Sequence, residues 1–185
     1  MLLIVWIELL VLWVVWFYPF ILRAPHRQKR ASITATGPTT IGIALECVAI
    51  ALAFNIRLPE SAPAGLARIA AALVVGVAGI VLAWQAVAHL GRQFRIQAGL
   101  YEDHELVRTG PYALVRHPIY TSLLAMLVTT LLLLTPWIWA PLALALFVAG
   151  TEIRVHTEDR LLESRFGDVF RDYRRHVPAY LPFVR

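Results

Sequence analysis

The sequence predicts an all-α integral membrane protein with about five transmembrane helices. Of its 185 residues, 59% are hydrophobic and only 16% are charged, and the mean hydropathy is +0.66. These values lie far outside the range of a soluble domain of this length. Apolar runs of roughly 20 residues, the length that a helix needs to cross the hydrocarbon core, recur along the chain. We interpret residues 1–185 as one domain, in which residues 1–90 form scaffold spans and residues 91–185 carry the chemistry.

Each predicted span is an apolar run between more polar segments. The first three runs are long and continuous. The last two are shorter and are separated only by Thr135 and Pro136, which predicts a tight helical hairpin because proline disfavours continuation of a helix. The five predicted spans cover residues 2–22, 39–56, 66–90, 119–134 and 136–150.

Basic residues set the predicted orientation. Of the 17 lysines and arginines, all but Arg57 and Arg68 lie in residues 23–37, in residues 91–117 or from Arg154 onward. The positive-inside rule places these three segments and the C-terminus in the cytoplasm, with the N-terminus outside, in the inner membrane if the cell is prokaryotic. The sequence pI of about 9.9 favours membrane lipids with anionic headgroups as partners. No pattern of a nucleic-acid module occurs, and no feature calls for an obligatory protein partner.

Three features of the scaffold spans lead to expectations about packing. Glu46 is an ionisable residue deep in a span, so it is expected to face protein or water, with a structural role or a role as a relay or substrate contact. Cys47, the single cysteine, cannot form an intramolecular disulfide and is expected to be a buried thiol. Ala72 and Gly76 form a small-xxx-small pair that lets helices approach closely.

Residues 110–120 are the most informative part of the chain. The Gly-Pro pair at their start predicts a turn, and Pro118 suits the first turn of a helix while keeping His117 out of helical geometry. A shaped loop is therefore predicted to lead into the fourth span. We expect it to leave several backbone N–H groups unpaired beside Arg116 and His117, as a cradle for a small polar cofactor.

Polar residues return in the tail from Glu152 onward. Helical spacing places Arg154 and Glu158 on one face, so they can pair with each other, as in a surface ion pair, or face a ligand together. Gly167 is expected to end this helix. The aromatic and proline-containing tail that follows is expected to fold back on the molecule.

Several common kinds of site lack their sequence patterns. The chain has no HExxH and no paired cysteines, so no metal site is predicted. It also lacks the GxSxG elbow of serine hydrolases and the GxGxxG turn of Rossmann domains.

The two polar motifs together resemble the isoprenylcysteine carboxyl methyltransferase family and its phospholipid N-methyltransferase relatives. The family's Arg-His-Pro-x-Tyr loop stands here as residues 116–120, and its Glu-Glu-x-x-Leu helix as residues 158–162. The resemblance covers about residues 97–183. Two positions differ: Asp159 replaces the second glutamate with a shorter side chain, and Ser122 stands where glycine is common.

The resemblance implies an integral membrane methyltransferase that uses S-adenosylmethionine. Its cytoplasmic cofactor pocket would be built from the loop before the fourth helix and from the C-terminal helix. Arg154 matches the arginine that the family places at the methyl acceptor. The cofactor contacts implied in this chain are Gln97, His104, Glu105, Leu106, Val107, Tyr112, His117, Pro118, Ile119, Tyr120 and Glu158.

The resemblance also implies a lipophilic acceptor that partitions into the membrane. O-methylation of a carboxylate like that of isoprenylcysteine is favoured, because a carboxylate is already deprotonated and needs no base. Methylation of a phospholipid or another lipid at nitrogen or oxygen stays open. So do two other classes of function, namely an NADPH-dependent membrane reductase with a similar C-terminal architecture and a non-catalytic membrane protein that kept the fold.

Overall fold

The computed structural model describes residues 2–22, 33–34, 36–59, 64–91, 99–100 and 105–181. Helices make up most of these residues, and the predicted all-α class is confirmed. Short 3-10 turns at Gly110–Ala113 and Trp137–Trp139 precede two of the helices. In chain order the elements are α1 (Leu2–Leu22), β1 (Ile33–Thr34), α2 (Thr36–Asn55), α3 (Leu66–Leu90), β2 (Gly99–Leu100), α4 (Pro118–Leu134), α5 (Ala140–Phe166) and α6 (Asp168–His176).

The protein is an integral membrane protein by the length and composition of its helices. Among the described residues, four segments are long and apolar enough to cross a bilayer, namely Leu3–Leu22, Thr36–Asn55, Leu66–Leu90 and Trp137–Phe166. The fifth, α4, has 17 residues. It is therefore about 25 Å long, slightly less than the hydrocarbon core of about 30 Å. Many large apolar side chains on α1 and α3 are exposed, as expected for surfaces that face lipid.

The helix that carries the fifth span is longer than predicted. It does not end near Gly150, because α5 continues without a break through the polar tail segment to Phe166. Gly167 then ends it with a φ of +52°, at the residue that the sequence predicts. The change in hydropathy at Gly150 marks the end of the apolar region, whereas backbone hydrogen bonding continues across it. One rigid helix therefore connects the apolar bundle to Arg154 and Glu158.

The helices pack as two main pairs, α2 with α5 and α3 with α4. The connection between α4 and α5 is short, as the hairpin prediction requires, but each arm has its main partner elsewhere. The two arms meet in an apolar cluster that also includes α2. Its buried members are Ala49, Ala53, Leu127, Leu131, Ala143 and Phe147.

Small residues of α3 let its neighbours approach, which confirms the packing interpretation of this helix. A Cβ atom added to Gly76 would lie 2.8 Å from Leu12 Cδ1 on α1 and 3.3 Å from Thr129 Oγ1 on α4. The hydroxyl of Thr129 also donates a hydrogen bond to the carbonyl of Ala72, at 3.4 Å. Ala72 and Gly76 therefore fix the distances from α3 to α1 and α4.

On α2, the prediction for Cys47 is wrong. Cys47 is exposed rather than buried. The adjacent Glu46 is the residue that faces the protein, with 3% exposure. Successive helical residues point about 100° apart, and Cys47 therefore points away from the direction in which Glu46 meets the protein.

A pair of glycines brings α2 and α5 close together. A Cβ atom on Gly42 would lie 2.7 Å from the carbonyl oxygen of Gly150, and a Cβ on Gly150 would lie 2.6 Å from that of Gly42. Both obstacles are backbone atoms, so no side-chain rotation can relieve the overlap. The two glycines therefore set the spacing between α2 and α5 beside Glu46.

We expect the substitution Gly150→Ala to lower the thermal unfolding midpoint, because it separates α2 from α5. A destabilisation of about 1–3 kcal/mol is typical of overpacking. Gly37→Ala is the matched control, since Gly37 is likewise a helical glycine, on α2, and nothing would lie within 4 Å of its added Cβ. That variant should unfold at or slightly above the wild-type midpoint, because alanine favours helix over glycine. Equal midpoints for the two variants, measured in the same detergent, would contradict this account.

The loops on one end of the bundle are joined by a short antiparallel pairing. Ile33 pairs with Leu100 and Thr34 with Gly99. The connection between α1 and α2 therefore contacts the connection between α3 and α4. This is also the end at which α4 begins and the polar half of α5 emerges.

Candidate active site

The loop before α4 contains the turn that its sequence predicts. Gly110 has a φ of +59°, a left-handed conformation that favours glycine, and a Cβ there would collide with the ring of His89. Pro118 is the first residue of α4, and His117 caps the helix with a φ of −125°. These local features place His117 and Tyr120 at the start of α4.

The tail folds back onto this loop, as predicted. The N–H of Arg116 donates to the carbonyl of Pro178 at 2.9 Å, and the N–H of His117 donates to that of Ala179 at 2.8 Å. Several backbone N–H groups beside Arg116 and His117 were expected to remain for a cofactor, but those of Arg116 and His117 themselves are already paired. The returning tail already supplies their acceptors, so side chains of the loop are better placed to meet a ligand.

The ring of His117 lies between two carboxylates of α5. Its Nε2 is 2.9 Å from Asp159 Oδ1, and its Nδ1 is 3.2 Å from Glu158 Oε2. Burial lowers the pKa of His117, but hydrogen bonds to Asp159 and Glu158 outweigh that effect and raise the pKa to about 9. With both ring nitrogens facing carboxylate oxygens, His117 is an imidazolium at neutral pH that donates from both sides.

This raised pKa predicts a loss of stability at alkaline pH. Folding favours the protonated ring, so its contribution is complete below about pH 6.5, the pKa of an unperturbed histidine, and is lost as the pH rises through about 9. The loss amounts to as much as about 3 kcal/mol. We expect the thermal midpoint of the wild type to fall over this range more steeply than that of His117→Gln. The control His156→Gln replaces an exposed histidine of α5 and should keep the wild-type slope; equal slopes for all three proteins would contradict the prediction.

Asp159 holds the loop and the tail together. Its Oδ2 accepts a hydrogen bond from Arg116 Nη2 at 3.0 Å, and the side chain is only 8% exposed. Arg116 also donates to the carbonyl of Val177, in the tail. Sequence reasoning set Asp159 aside because its side chain is shorter than the family's glutamate. The sequence signal that could have identified this pair was charge, since Asp159 in one motif and Arg116 in the other carry opposite charges.

Of the two carboxylates beside His117, Glu158 is the more accessible. It accepts hydrogen bonds from His117 and from the hydroxyl of Tyr120, and its side chain is 26% exposed. The ring of Tyr120 is buried and stacks on that of His117, with 5.6 Å between centroids. Tyr112 is also buried, and burial together with the charge of Glu158 raises its pKa. Glu158 is thus held in place by its neighbours while it keeps a surface for a ligand.

Arg154 lies one helical turn before Glu158 and is largely buried. Its Cζ is 4.5 Å from the centroid of the Tyr120 ring, a cation–π contact. Its Nη1 donates to Glu46 Oε2 at 2.5 Å. The spacing of Arg154 and Glu158 did not predict this third partner, which comes from α2.

The structure thus brings three separate segments together in one cluster, namely α2, the loop that leads into α4, and α5. Gln97 and His104 lie outside the described residues. Glu105 is exposed and Leu106 and Val107 are half-buried in the segment before the turn. Pro118 and Ile119 form the first turn of α4. The predicted residues that the structure brings together are Tyr112, His117, Tyr120, Arg154 and Glu158.

Comparison with known proteins places this cluster within a recognised family. The sequence model described as the isoprenylcysteine carboxyl methyltransferase (ICMT) family matches residues 71–164. That segment contains most of α3, all of α4 and most of α5. It therefore includes all five residues of the cluster named above.

Curated relatives match the chain at moderate identity. The chain is 35% identical over 83 residues to a protein-S-isoprenylcysteine O-methyltransferase of Schizosaccharomyces pombe, and 31% identical over 115 residues to protein-S-isoprenylcysteine O-methyltransferase B of Arabidopsis thaliana. It is 34% identical over 116 residues to the cobalt-zinc-cadmium resistance protein CzcN of Cupriavidus metallidurans. These matches cover 45, 60 and 60% of this chain, and 35, 58 and 49% of the three relatives in that order. The chain thus spans about a third to three fifths of the length of these relatives.

Proposed function

Because the chain belongs to the isoprenylcysteine carboxyl methyltransferase family, we propose that it methylates the carboxylate of a lipophilic acceptor with S-adenosylmethionine as the donor. The names of two relatives support the reaction class and an isoprenylcysteine-like acceptor. The cluster of side chains around Glu158 supports the location of the site. In this proposal, residues 91–185 carry the cofactor and acceptor contacts and residues 1–90 form the scaffold.

The residues of the cluster fit the chemistry of the cofactor. S-adenosylmethionine carries hydroxyl groups and an ammonium group, and a carboxylate such as the partly exposed Glu158 can accept hydrogen bonds from them. His117 and Tyr120 fix that carboxylate. When bound, S-adenosylmethionine supplies a methyl group whose bond to sulfur breaks as a carboxylate oxygen bonds to carbon, giving an ester and a thioether with no proton moved.

The state of His117 is the observation that favours a carboxylate acceptor. An amine must lose a proton before or during methylation, which calls for a base. Both nitrogens of His117 face carboxylates, and its pKa of about 9 keeps it protonated at neutral pH. His117 therefore holds Glu158 rather than accepting a proton. A carboxylate acceptor needs no base, and the guanidinium of Arg154 is suited to orient it.

The position of the cluster explains why such an enzyme is a membrane protein. The cluster lies where α4 begins and the polar half of α5 leaves the apolar bundle. A lipophilic acceptor can reach it from the bilayer, while a soluble cofactor arrives from the aqueous side. Of the basic residues that the structure describes, all but Arg57 and Arg68 lie at this end, which supports a cytoplasmic location for it, with the N-terminus outside.

Calorimetric titration of the detergent-purified protein tests the cofactor assignment. We expect saturable binding of S-adenosylmethionine and S-adenosylhomocysteine and no binding of NADPH. Binding of NADPH alone would replace the proposal with a membrane reductase. No binding of any of the three by folded protein would favour a non-catalytic role.

A further inference from the structure

Glu46 is a buried carboxylate on α2 that the cluster described so far does not explain. Only 3% of its side chain is exposed. Both of its oxygens are engaged by α5, since Oε1 accepts from the hydroxyl of Thr151 at 3.0 Å and Oε2 accepts from Arg154 Nη1 at 2.5 Å. A scaffold helix therefore contacts the proposed acceptor residue directly.

The fold holds this contact at a defined distance. Gly42 lies one turn before Glu46 on α2, and Gly150 lies one turn before Arg154 on α5. The backbones of the two glycines touch, and a Cβ on Gly150 would also lie 3.1 Å from Glu46 Cγ. The glycine pair therefore fixes where the Glu46 carboxylate meets α5.

Stability alone is a weak reason for a buried ion pair. Removing two charges from water is costly, and apolar replacements of buried pairs are often neutral or stabilising. Orientation is a stronger reason here. Arginine has a long side chain with many rotamers, whereas a carboxylate partner confines its planar guanidinium to one geometry.

The confined guanidinium lies within the proposed site. Its Cζ is 4.5 Å from the centroid of the Tyr120 ring, and the hydroxyl of Tyr120 donates to Glu158. Contacts thus run without a gap from Glu46 through Arg154 and Tyr120 to Glu158. A change in the orientation of Arg154 would therefore alter the geometry of the place where the acceptor must meet the cofactor.

We propose that Glu46 is a positioning residue, which holds the guanidinium of Arg154 in the orientation that receives the acceptor carboxylate. This inference rests on the function proposed above. It separates two steps, because Glu46 acts on the acceptor through Arg154, whereas Glu158 and His117 hold the cofactor. Loss of the Glu46 carboxylate should therefore impair the acceptor step and leave cofactor binding intact.

The substitution Glu46→Gln tests this separation. Glutamine keeps the volume and an oxygen that can accept from Thr151, but it removes the charge that orients Arg154. With N-acetyl-S-farnesylcysteine as acceptor, we expect kcat/KM to fall about 10- to 100-fold, the range that a misplaced reacting group produces. The dissociation constant of S-adenosylhomocysteine should stay within about twofold of the wild-type value. Glu8→Gln is the matched control, since Glu8 is also a carboxylate within an apolar helix, and its neighbours Val5 and Leu9 pack against the opposite end of α4.

A double substitution shows whether Glu46 acts through Arg154. In an Arg154→Lys background, Glu46→Gln should cause little further loss of kcat/KM, because the guanidinium that it orients is gone. Thr151→Val provides a milder perturbation, since it removes one hydrogen bond that orients the Glu46 carboxylate and keeps both charges. It should lower kcat/KM in the same direction, and it decides the matter if Glu46→Gln does not fold.

The outcomes separate this inference from the function on which it rests. Wild-type kcat/KM in Glu46→Gln with intact binding of S-adenosylhomocysteine, or fully additive losses in the double variant, would overturn the role of Glu46 alone. Failure of the folded wild type to bind S-adenosylhomocysteine or to methylate the probe would overturn the proposed function and the inference together.

Discussion

Replacing Glu158 with glutamine is expected to weaken the binding of S-adenosylmethionine by about 10- to 100-fold. Glu158 accepts hydrogen bonds from His117 and Tyr120, and it is the more exposed of the two carboxylates beside His117. In the proposed function its charge therefore both holds the cluster and meets the ligand. Losing a charge-assisted hydrogen bond removes about 1.5–3 kcal/mol, and every 1.4 kcal/mol is a tenfold change in affinity. Calorimetric titration of the purified variant measures the effect.

Glu163→Gln is the control for this prediction. Glu163 lies on the same helix, five residues further on, and its carboxylate makes long contacts of 3.5 Å with the exposed Arg171 and Arg174. That variant should bind S-adenosylmethionine like the wild type. A folded Glu158→Gln protein with affinity within about threefold of the wild type would show that the cofactor does not depend on this carboxylate.

Replacing Arg154 with lysine is expected to reduce methyl transfer by about 100-fold while leaving the affinity for S-adenosylhomocysteine within about threefold. Lysine keeps the positive charge that neutralises the buried Glu46, but it lacks the planar fork that can bind a carboxylate at two points. Arg154→Ala is less informative, because leaving a buried carboxylate without its partner destabilises a protein by about 3–5 kcal/mol. Initial rates with saturating cofactor and varied N-acetyl-S-farnesylcysteine separate the loss from any change in cofactor binding.

Arg160→Lys serves as the comparison for Arg154→Lys. Arg160 lies on α5 as well, but its side chain is exposed. The same chemical change there should leave the rate unchanged. If the two lysine variants had equal rates, Arg154 would have no part in the acceptor step.

The membrane helices could be predicted because lipid imposes a simple demand on sequence. Each spanning segment must be apolar over about 20 residues, and α1 and α3 begin and end where their apolar runs do. The same hydropathy signal placed the end of α5 too early. Hydropathy falls after Gly150 although the helix continues to Phe166, because hydropathy marks a boundary with water and not the end of backbone hydrogen bonding.

Side-chain partners that are distant in sequence could not be predicted. Glu46 was expected to face protein or water, but nothing local identified Arg154, which follows 108 residues later, as its partner. The role of Asp159 was missed for a similar reason, since its contacts with Arg116 and His117 depend on how α5 and the loop pack. The motif residues His117, Tyr120 and Glu158 were found because local turn chemistry and the resemblance pointed to the same place.

The most direct test of the proposed function is transfer of a tritiated methyl group from S-adenosylmethionine to N-acetyl-S-farnesylcysteine by the purified protein in lipid vesicles. We expect saturable formation of a base-labile methyl ester that the wild type produces and both Glu158→Gln and Arg154→Lys largely lose. Transfer that is equal in these variants would contradict the assigned site. Complete absence of transfer by folded wild type that binds the cofactor would contradict the isoprenylcysteine-like carboxylate as its acceptor.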